Sequence, residues 1–319
     1  MTDLSVVVVN FNTCDLVLEC LESVERELRR PGAKLSSEIV VVDNGSTDGS
    51  VDAIRENHPS VGVIALEHNI GYARGNNVAL KKVAGDVVLL LNSDVTLERG
   101  SIECALAALA KDPRAGAVGI QLLHPDGRLQ NSIHTSPSLL REIVPTWLLE
   151  FIAPDRFPSK RLPPTEPTYV ESVLGAALFV RREVLNRVGL LPEAYFFFLE
   201  ETDWCLQMRE AGYQVLHVPG ARAIHRSGAS SKQRDPVATR IEYHRSLYRF
   251  LETHRGAFSA AGVKVVRVAK SLVMVVPLAV LGIFAPRYRA RSRSAARLLL
   301  WHASGQPASW GLSRPDGSG

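Results

Sequence analysis

The chain has 319 residues, of which 46% are hydrophobic and 22% are charged, a balance that is typical of folded proteins and excludes a wholly disordered one. Its 37 basic residues exceed the 33 acidic ones by only four, so the overall charge gives no reason to expect a nucleic-acid-binding protein. The four cysteines form no CxxC pair, which favours reduced thiols in a cytoplasmic protein over disulfides or a zinc site.

Up to Ala110, short β-branched runs alternate with amphipathic stretches. The predicted strands are Leu4–Val9, Glu38–Val42, Val61–Leu66 and Val87–Leu91. The predicted helices are Asp15–Arg29, Thr47–Asn57, Gly75–Val83 and Arg99–Ala110. Because such Val, Ile and Leu runs separated by helices are typical of parallel strands buried on both faces, the pattern predicts a doubly wound α/β sheet. The first strand has no basic segment before it, so no signal peptide is expected.

The second half of the chain continues the mixture of strands and helices. Further strands are predicted at Tyr169–Val173, Ala177–Val180, Val215–Val218 and Ala223–His225. Further helices are predicted up to Val188, over Glu201–Ala211 and over Pro236–Thr253. We therefore expect one large α/β core, followed by a C-terminal segment of different character.

Polar segments follow the first four predicted strands, at the edge where doubly wound sheets bind ligands. They are Asn10–Asn12, Asp43–Ser50, Asn69–Asn77 and Asn92–Asp94. The two glycines, three asparagines and one arginine of the third segment indicate a neighbouring phosphate or nucleotide, although a helix cap or a tight turn would explain each segment taken alone. The first strand lacks a following GxGxxG, which argues against a dehydrogenase, and lacks the glycine-rich, lysine-bearing loop expected of a nucleotidyltransferase.

Carboxylates stand at the edges of two apolar runs. Glu200, Glu201 and Asp203 follow the aromatic run Phe196–Phe198, and Asp94 follows the strand ending at Leu91. Because unpaired carboxylates are costly to bury, a metal ion or a proton transfer gives them a reason to be there, and this pattern indicates an enzyme. Negative charge at a helix N-terminus is the alternative, which explains the acids but not the aromatic residues.

Taken together and in order, five segments resemble family 2 glycosyltransferases, most closely a rhamnosyltransferase-like branch. The segments are Val7–Asn12, Asp43–Ser50, Asn69–Asn77, Asn92–Asp94 and Phe198–Trp204. The resemblance covers about residues 4–250 and implies a GT-A fold, which is Rossmann-like with a mostly parallel sheet flanked by helices. It implies a nucleotide-sugar-binding half at residues 1–115 and an acceptor-binding half at 116–255, with a helical tail at 256–319.

The resemblance also implies roles for individual residues. Asp43 would contact the nucleobase of the donor, and Asp94 with His225 would hold a divalent cation, Mg²⁺ or Mn²⁺. Asn92 stands where many relatives have aspartate, so Asp94 carries more of the metal-ligand role. The implied donor-binding residues are Asn10, Asn12, Asp43, Asn69, Gly71, Arg74, Asn77, Asn92, Ser93 and Asp94.

The catalytic base implied by the resemblance is a carboxylate near the aromatic run. Glu201 falls where the family usually has the Asp of a Glu-Asp pair, and the substitution keeps the carboxylate on a longer side chain. Glu200 and Asp203 are rival candidates. Because these two are three residues apart, they share one helix face better than either does with Glu201.

The resemblance implies inverting transfer of a sugar from a nucleoside-diphosphate donor. The favoured donor is dTDP-L-rhamnose, with a UDP-sugar as the alternative, and the favoured acceptor is a cell-envelope glycan or a polyprenyl-linked glycan. A catalytically inactive, glycosyltransferase-like membrane scaffold is the non-enzymatic alternative, against which the retained Asp94, Glu201 and His225 argue. No nucleic-acid partner is expected.

The tail has basic residues on both sides of an apolar run. Lys264, Arg267 and Lys270 precede 15 uncharged residues, Ser271–Ala285, and five arginines follow between Arg287 and Arg297. The run is shorter than the ~20 residues of a spanning helix, so an in-plane or partly inserted helix on the membrane is favoured. A helix packed on the protein or used for oligomerisation is the alternative. Membrane contact would make the protein peripheral on the cytoplasmic face of the cell membrane.

Overall fold

The computed structural model describes residues 2–30, 35–154, 157, 164–226 and 235–312. The chain forms two compact units. The first consists of Met1–Ser136, Pro158–Tyr195 and Glu200–Ser230, and the second of Pro137–Phe157, Phe196–Leu199 and Ser231–Gly319.

Strands and helices alternate through the first unit, and helices make up most of the second. The strands are β1 Leu4–Asn10, β2 Ser37–Asp43, β3 Gly62–Ala65, β4 Val87–Asn92, β5 Val95–Leu97, β6 Ala115–Leu123, β7 Ile133–His134, β8 Thr168–Val170, β9 Ser172–Val173, β10 Ala177–Arg181 and β11 Gln214–His225. The helices are α1 Cys14–Leu28, α2 Ser50–Asn57, α3 Tyr72–Leu80, α4 Ser101–Lys111, α5 Leu139–Ile143, α6 Thr146–Ile152, α7 Arg182–Val188, α8 Glu200–Glu210, α9 Pro236–Arg255, α10 Ala257–Phe284 and α11 Pro286–Ala303.

The main sheet of the first unit has the order β3-β2-β1-β4-β10-β6-β11-β5, with β8 also paired to β11. Strands β1 to β4 and the pair β6–β11 are parallel, whereas β10 runs antiparallel to β4 and β6. Alternate residues of β1 enter different core clusters, Val6 and Val8 on one side and Val7 and Val9 on the other. Because successive side chains of a strand point to opposite faces, the sheet is buried on both sides, and the predicted α/β architecture is confirmed.

Two parts of the sheet differ from the sequence prediction. Strand β6 was not predicted, because Gly116 and Gly119 weaken its β-propensity; a Cβ on Gly119 would lie 2.5 Å from side-chain atoms of Val173, so close packing requires glycine there. The two short strands predicted at 215–218 and 223–225 form the single strand β11, which is interrupted by an irregularity between Val218 and Arg222.

The second unit has a core of its own between α9, α10 and α11, formed by residues such as Leu247, Val263 and Trp301. Asp235 caps α9 by accepting hydrogen bonds from the backbone N–H groups of Val237 and Ala238. Helix α9 therefore packs with the C-terminal helices, whereas the sequence predicts a tail that begins at residue 256. The functional division of the chain at residues 115 and 255 stays a prediction.

Helix α10 is longer than the apolar run suggested. It has 28 residues and continues through Pro277, so the expectation that it is too short to cross a membrane was wrong. Among the described residues it is the one helix that could span a bilayer by length and composition, and only 6% of its most apolar 18-residue stretch is buried. Length and composition alone are weak grounds for a membrane span.

Candidate active site

The carboxyl ends of β1 and β2 are joined by buried hydrogen bonds. Asn10 and Asp43 lie opposite each other in the sheet, and the Asn10 Nδ2 donates to Asp43 Oδ2 at 2.8 Å. The backbone N–H of Ser46 donates to the other carboxylate oxygen of Asp43 at 2.8 Å. These bonds fix the loop after β2 at the sheet edge, while the predicted contact of Asp43 with a nucleobase stays a prediction.

Asn12 links the loop after β1 to the loop after β2. It adopts a left-handed backbone conformation with φ of 52°, and its Oδ1 accepts a hydrogen bond from the backbone N–H of Thr47 at 2.7 Å. Its own N–H donates to Ser46 Oγ at 2.8 Å. Left-handed geometry in a non-glycine residue is more common for Asn than for most side chains, which explains the residue type at this turn.

Asn44 connects the second and third polar loops, a role that the sequence did not single out. Its Nδ2 donates to Asn69 Oδ1 at 3.0 Å and to the Gly71 carbonyl at 3.2 Å, and its Oδ1 accepts from the Ile70 N–H at 3.0 Å. Gly71 has φ of 92°, which requires glycine at the start of α3. The predicted donor residues Asn69 and Gly71 thus belong to one ordered loop.

The two predicted donor residues on α3 differ in their surroundings. Arg74 is exposed, with its Nε 3.9 Å from a carboxylate oxygen of Glu193. Asn77 is buried; its Nδ2 donates to the Leu191 carbonyl at 2.9 Å and its Oδ1 accepts from the Leu191 N–H at 3.1 Å. Asn77 therefore holds the segment around Leu191 in place, and direct contact of either residue with a donor stays a prediction.

The Asn77→Ala variant is expected to lower the free energy of unfolding by about 1–3 kcal/mol, because it leaves the backbone groups of Leu191 without their hydrogen-bond partners. Urea unfolding measures this effect. Asn57→Ala, at an exposed position on α2, is the control and is expected to change stability by less than about 0.5 kcal/mol. Unchanged stability with a large loss of nucleotide affinity would instead make Asn77 a donor ligand.

The segment after β4 carries the predicted metal ligand. Ser93 Oγ lies 2.8 Å from Thr13 Oγ1, which ties this segment to the loop after β1. Asp94 Oδ1 lies 3.4 Å from His225 Nε2, and both side chains are 10% exposed or less. The other ring nitrogen of His225 lies 3.0 Å from Gln130 Oε1, so Gln130, which the sequence did not reveal, fixes the orientation of the imidazole.

The donor set around Asp94 fits a divalent cation. The described residues contain no cluster of three or more His, Cys, Asp or Glu side chains that could hold a metal ion, and the role of Asp94 and His225 as metal ligands stays a prediction. Asn92, two residues before Asp94, has a buried Oδ1 that makes no hydrogen bond to another described residue. Cations such as Mg²⁺ combine one or two carboxylates with phosphate oxygens of a substrate, and Mn²⁺ also accepts imidazole. Residues 227–231 of the His225 motif lie outside the described residues.

The three carboxylates at the start of α8 are all buried. Asp203 accepts hydrogen bonds from Tyr195 Oη and Gln207 Nε2, both at 2.7 Å, so both of its oxygens are used within the fold. Burial raises the pKa of Glu201 from its ordinary 4.5 to about 7. A carboxylate with a pKa near neutral pH is suited to accept a proton in catalysis, which favours Glu201 over Asp203 as the base.

Gly175 lies beside the Glu201 side chain and is hydrogen-bonded to Tyr72. A Cβ on Gly175 would lie 3.2 Å from Glu201 Cβ and Cγ, so the glycine makes room for this carboxylate. Tyr72 Oη donates to the Gly175 carbonyl at 3.0 Å. Burial and the negative charges of Glu200, Glu201 and Asp94 raise the pKa of Tyr72. The charges of the candidate base and of the candidate metal ligand therefore both raise the pKa of one partly buried hydroxyl group.

Comparison with known proteins decides the family. The model of glycosyl transferase family 2 matches residues 5–189. The chain belongs to this family. It is 32% identical over 277 residues to the N-acetylglucosaminyl-diphospho-decaprenol L-rhamnosyltransferase of Mycobacterium tuberculosis, an alignment that covers 82% of this chain and 88% of the relative. The predicted resemblance to a rhamnosyltransferase-like branch of family 2 is confirmed.

Solved structures confirm the GT-A fold of this family 2 chain. A mannosyltransferase from Pyrobaculum calidifontis, in complex with GDP-Man and Mn²⁺, has a TM-score of 0.55 at 19% identity over 95% of this chain and 90% of its own. GalNAc-T7, solved with UDP, GalNAc and Mn²⁺, has a TM-score of 0.56 at 18% identity over 79% of this chain and 48% of its own. At these identities the likeness concerns the fold.

Proposed function

We propose that this family 2 glycosyltransferase moves L-rhamnose from dTDP-L-rhamnose to an N-acetylglucosaminyl-diphospho-polyprenol acceptor, with inversion at the anomeric carbon. The observation that carries the proposal is the 32% identity to a rhamnosyltransferase named for that acceptor, which extends over nearly the whole of both chains. A UDP-sugar is the alternative donor. A divalent cation is the proposed cofactor, either Mg²⁺ or Mn²⁺.

In the proposed reaction, Glu201 is the general base. An acceptor hydroxyl attacks the anomeric carbon as the bond from that carbon to the diphosphate breaks, and Glu201 takes the hydroxyl proton. Its raised pKa, about 7, makes the carboxylate a stronger base than an exposed glutamate while leaving it substantially ionised near neutral pH. Glu200 remains a rival because it is also buried at the start of α8; Asp203 is less suited because its oxygens hold Tyr195 and Gln207.

At the donor end, Asp94 and His225 are the proposed ligands of the cation, and Gln130 keeps the His225 ring in orientation. When bound, a divalent cation supplies positive charge that stabilises the departing diphosphate. The loops after β1, β2 and β3, which Asn10, Asn12 and Asn44 hold together, would bind the nucleotide. They are ordered by their own hydrogen bonds, so little conformational entropy would be lost on binding.

A donor and acceptor screen tests the proposal. The full chain is incubated with a polyprenyl-diphosphate-linked N-acetylglucosamine, Mn²⁺ or Mg²⁺, and either dTDP-L-rhamnose or a UDP-sugar. We expect a mass increase of one deoxyhexose in the lipid only with the first donor, and the opposite anomeric configuration in the product. Transfer only from a UDP-sugar would replace the proposed donor, and the absence of transfer or hydrolysis with any donor would support a scaffold instead.

A polyprenyl-linked acceptor lies in a bilayer, so the proposed enzyme works at a membrane surface. We place it on the cytoplasmic face, as a peripheral protein, because nucleotide sugars are soluble cytoplasmic donors. The exposed apolar residues of α10 and the arginines of α11 support membrane contact.

A further inference from the structure

The second unit exposes apolar side chains on two separate stretches of the chain. On α10 they include Leu272, Val273, Val276, Val280, Ile283 and Phe284. On the short helix α6, Trp147 is 68% and Phe151 is 81% exposed. An exposed apolar surface of this kind marks an interaction site in a soluble protein, and α6 lies far from the tail in sequence.

The segment that carries these aromatics is attached to α10 by its preceding helix. On α5, Leu139 lies against Gly262 of α10, where an added Cβ would be 3.2 Å from a Leu139 methyl carbon. Glu142 Oε1 accepts a hydrogen bond from Arg267 at 2.5 Å, and Lys270 donates to the Glu142 backbone carbonyl. Leu139 and Glu142, three residues apart, therefore form the face of α5 that binds α10. Leu140 and Ile143 remain exposed. The α5–α6 segment and α10 belong to one surface-forming unit.

Helix α11 places arginines beside the apolar half of α10. Arg289 Nε donates to the Gly282 carbonyl at 3.2 Å, and Ser292 Oγ donates to the Val275 carbonyl at 3.3 Å. The two helices thus form an antiparallel hairpin. Residues 256–312 contain eight Lys and Arg residues and no Asp or Glu. Lys264 and Arg267 are paired with Glu252 and Glu142, and the five arginines between Arg287 and Arg297 keep the hairpin basic, so it complements an anionic surface.

The hairpin geometry decides how such a surface would meet a bilayer. If α10 crossed the membrane, the arginines of α11 alongside its apolar half would be drawn to the same depth, where charged side chains are costly. If the hairpin lies in the plane of the interface, apolar residues enter the acyl region while arginines reach anionic headgroups, the arrangement of in-plane amphipathic helices. Trp147 is suited to the boundary between the headgroups and the acyl chains, because tryptophan side chains are enriched at membrane–water interfaces.

We infer that the second unit is an in-plane docking surface for an anionic lipid bilayer, formed jointly by α10, α11 and the α5–α6 segment, with Trp147 and Phe151 as inserted anchors. The proposed function already includes membrane contact; the inference adds Trp147 and Phe151 as anchors and the in-plane orientation of the helices. It rests on the proposed function only for the reason why the protein binds a membrane, since vesicle binding is measured without sugar transfer.

Vesicle flotation of the full chain tests the surface. We expect binding to phosphatidylcholine vesicles that contain phosphatidylglycerol, and weak binding to phosphatidylcholine alone. Trp147→Ser combined with Phe151→Ser is expected to lower the affinity for anionic vesicles about tenfold or more, because two large apolar side chains lose their burial. The control is Leu129→Ser, at an exposed leucine of the first unit, and it is expected to bind like the wild type. Equal binding by all three proteins would overturn the role of α6.

Fluorescence quenching by brominated lipids tests the orientation. The Trp147→Phe background keeps Trp204, Trp301 and Trp310, so a Val276→Trp reporter on α10 is compared with that background. The extra quenching is expected to be stronger with lipids brominated near the headgroup than with lipids brominated near the chain end. The reverse order would show a spanning helix and overturn the in-plane inference. Self-association of the wild type without vesicle binding would show that a second copy covers the surface, and would overturn it as well.

Transfer assays separate this inference from the proposed function. The double variant is expected to keep wild-type transfer to a short-chain, water-soluble acceptor and to lose transfer to an acceptor embedded in anionic vesicles. If the wild type binds vesicles as expected but transfers no rhamnose, the proposed donor fails while the docking surface stands.

Discussion

Replacing Glu201 with glutamine is expected to lower kcat by about 10²- to 10⁴-fold, the usual contribution of general base catalysis. The substitution keeps the size and shape of the side chain but removes the group that we propose takes the acceptor proton. Glu201 is buried against Gly175 and has its pKa raised to about 7, so the change affects a carboxylate already tuned by its surroundings. Steady-state kinetics with donor and acceptor varied separately measure the loss, and the affinity for dTDP is expected to be unchanged.

Two matched variants on the same helix make this result specific. Glu210→Gln, at the exposed end of α8, is expected to retain full activity. Glu200→Gln distinguishes the rival base: if it abolishes transfer while Glu201→Gln does not, the assignment moves by one residue. The Glu201→Gln protein is expected to be folded, because between pH 4.5 and about 7 the folded chain holds this proton more tightly than the unfolded chain. Ionisation of Glu201 therefore lowers stability as the pH rises, and glutamine avoids that cost.

The pH profile of the wild type provides an independent check on Glu201. The base must be ionised to accept a proton, so kcat/KM is expected to rise with pH and level off above about 7. One pH unit below that pKa, about one tenth of the enzyme is in the active form. If the base were an exposed glutamate, the rise of kcat/KM would occur near pH 4 to 5. A profile that is flat between pH 5 and 8 would contradict the assignment of a buried base.

The edge of the sheet where the site lies was predictable from the sequence. The apolar runs ending at Val9, Val42 and Leu91 fixed the strands, and parallel strands bring their carboxyl ends to a common edge. Asn10 and Asp43, the first polar residues after two of those runs, lie opposite each other in the sheet. Local pattern was sufficient here because the last apolar residues of all three strands are buried.

Other parts depend on contacts that no local pattern contains. Strand β6 has glycine at position 119 because Val173, distant in sequence, packs where a side chain would be. Gln130, in the segment between β6 and β7, orients the His225 ring because its Oε1 lies 3.0 Å from His225 Nδ1. Tyr72 and Gly175 likewise gain their role from a hydrogen bond between residues about a hundred positions apart.

The acidic cluster on α8 shows the same limit for chemistry. Spacing alone favoured pairing Glu200 with Asp203, since they are three residues apart on a helix. In the structure, the surroundings of Asp203 and Glu201 differ. Asp203 accepts hydrogen bonds from Tyr195 and Gln207, whereas burial raises the pKa of Glu201. Spacing gives the face of a helix, but the neighbours that determine protonation come from tertiary packing.

Replacing Asp94 with asparagine is expected to lower kcat/KM by about 10²- to 10³-fold, the scale at which the loss of one electrostatic stabiliser of developing charge acts. Asn keeps an oxygen at this position but removes the negative charge that attracts a divalent cation. His225 Nε2 lies 3.4 Å from Asp94 Oδ1, so the variant also leaves the imidazole without its acidic neighbour. Asp86→Asn, at the exposed residue just before β4, is the matched control and is expected to have wild-type kinetics.

Cation binding gives a measurement for Asp94 that does not depend on turnover. Electron paramagnetic resonance of free Mn²⁺, titrated with protein and dTDP, is expected to show tight binding by the wild type and by Asp86→Asn but weak binding by Asp94→Asn. Because a ligand that binds only the folded state raises its apparent stability, Mn²⁺ with dTDP should also raise the Tm of the first two proteins and not of the third. If Asp94→Asn bound Mn²⁺ as tightly as the wild type, the cation would have to be held elsewhere, and the charge of Asp94 would serve only to orient His225.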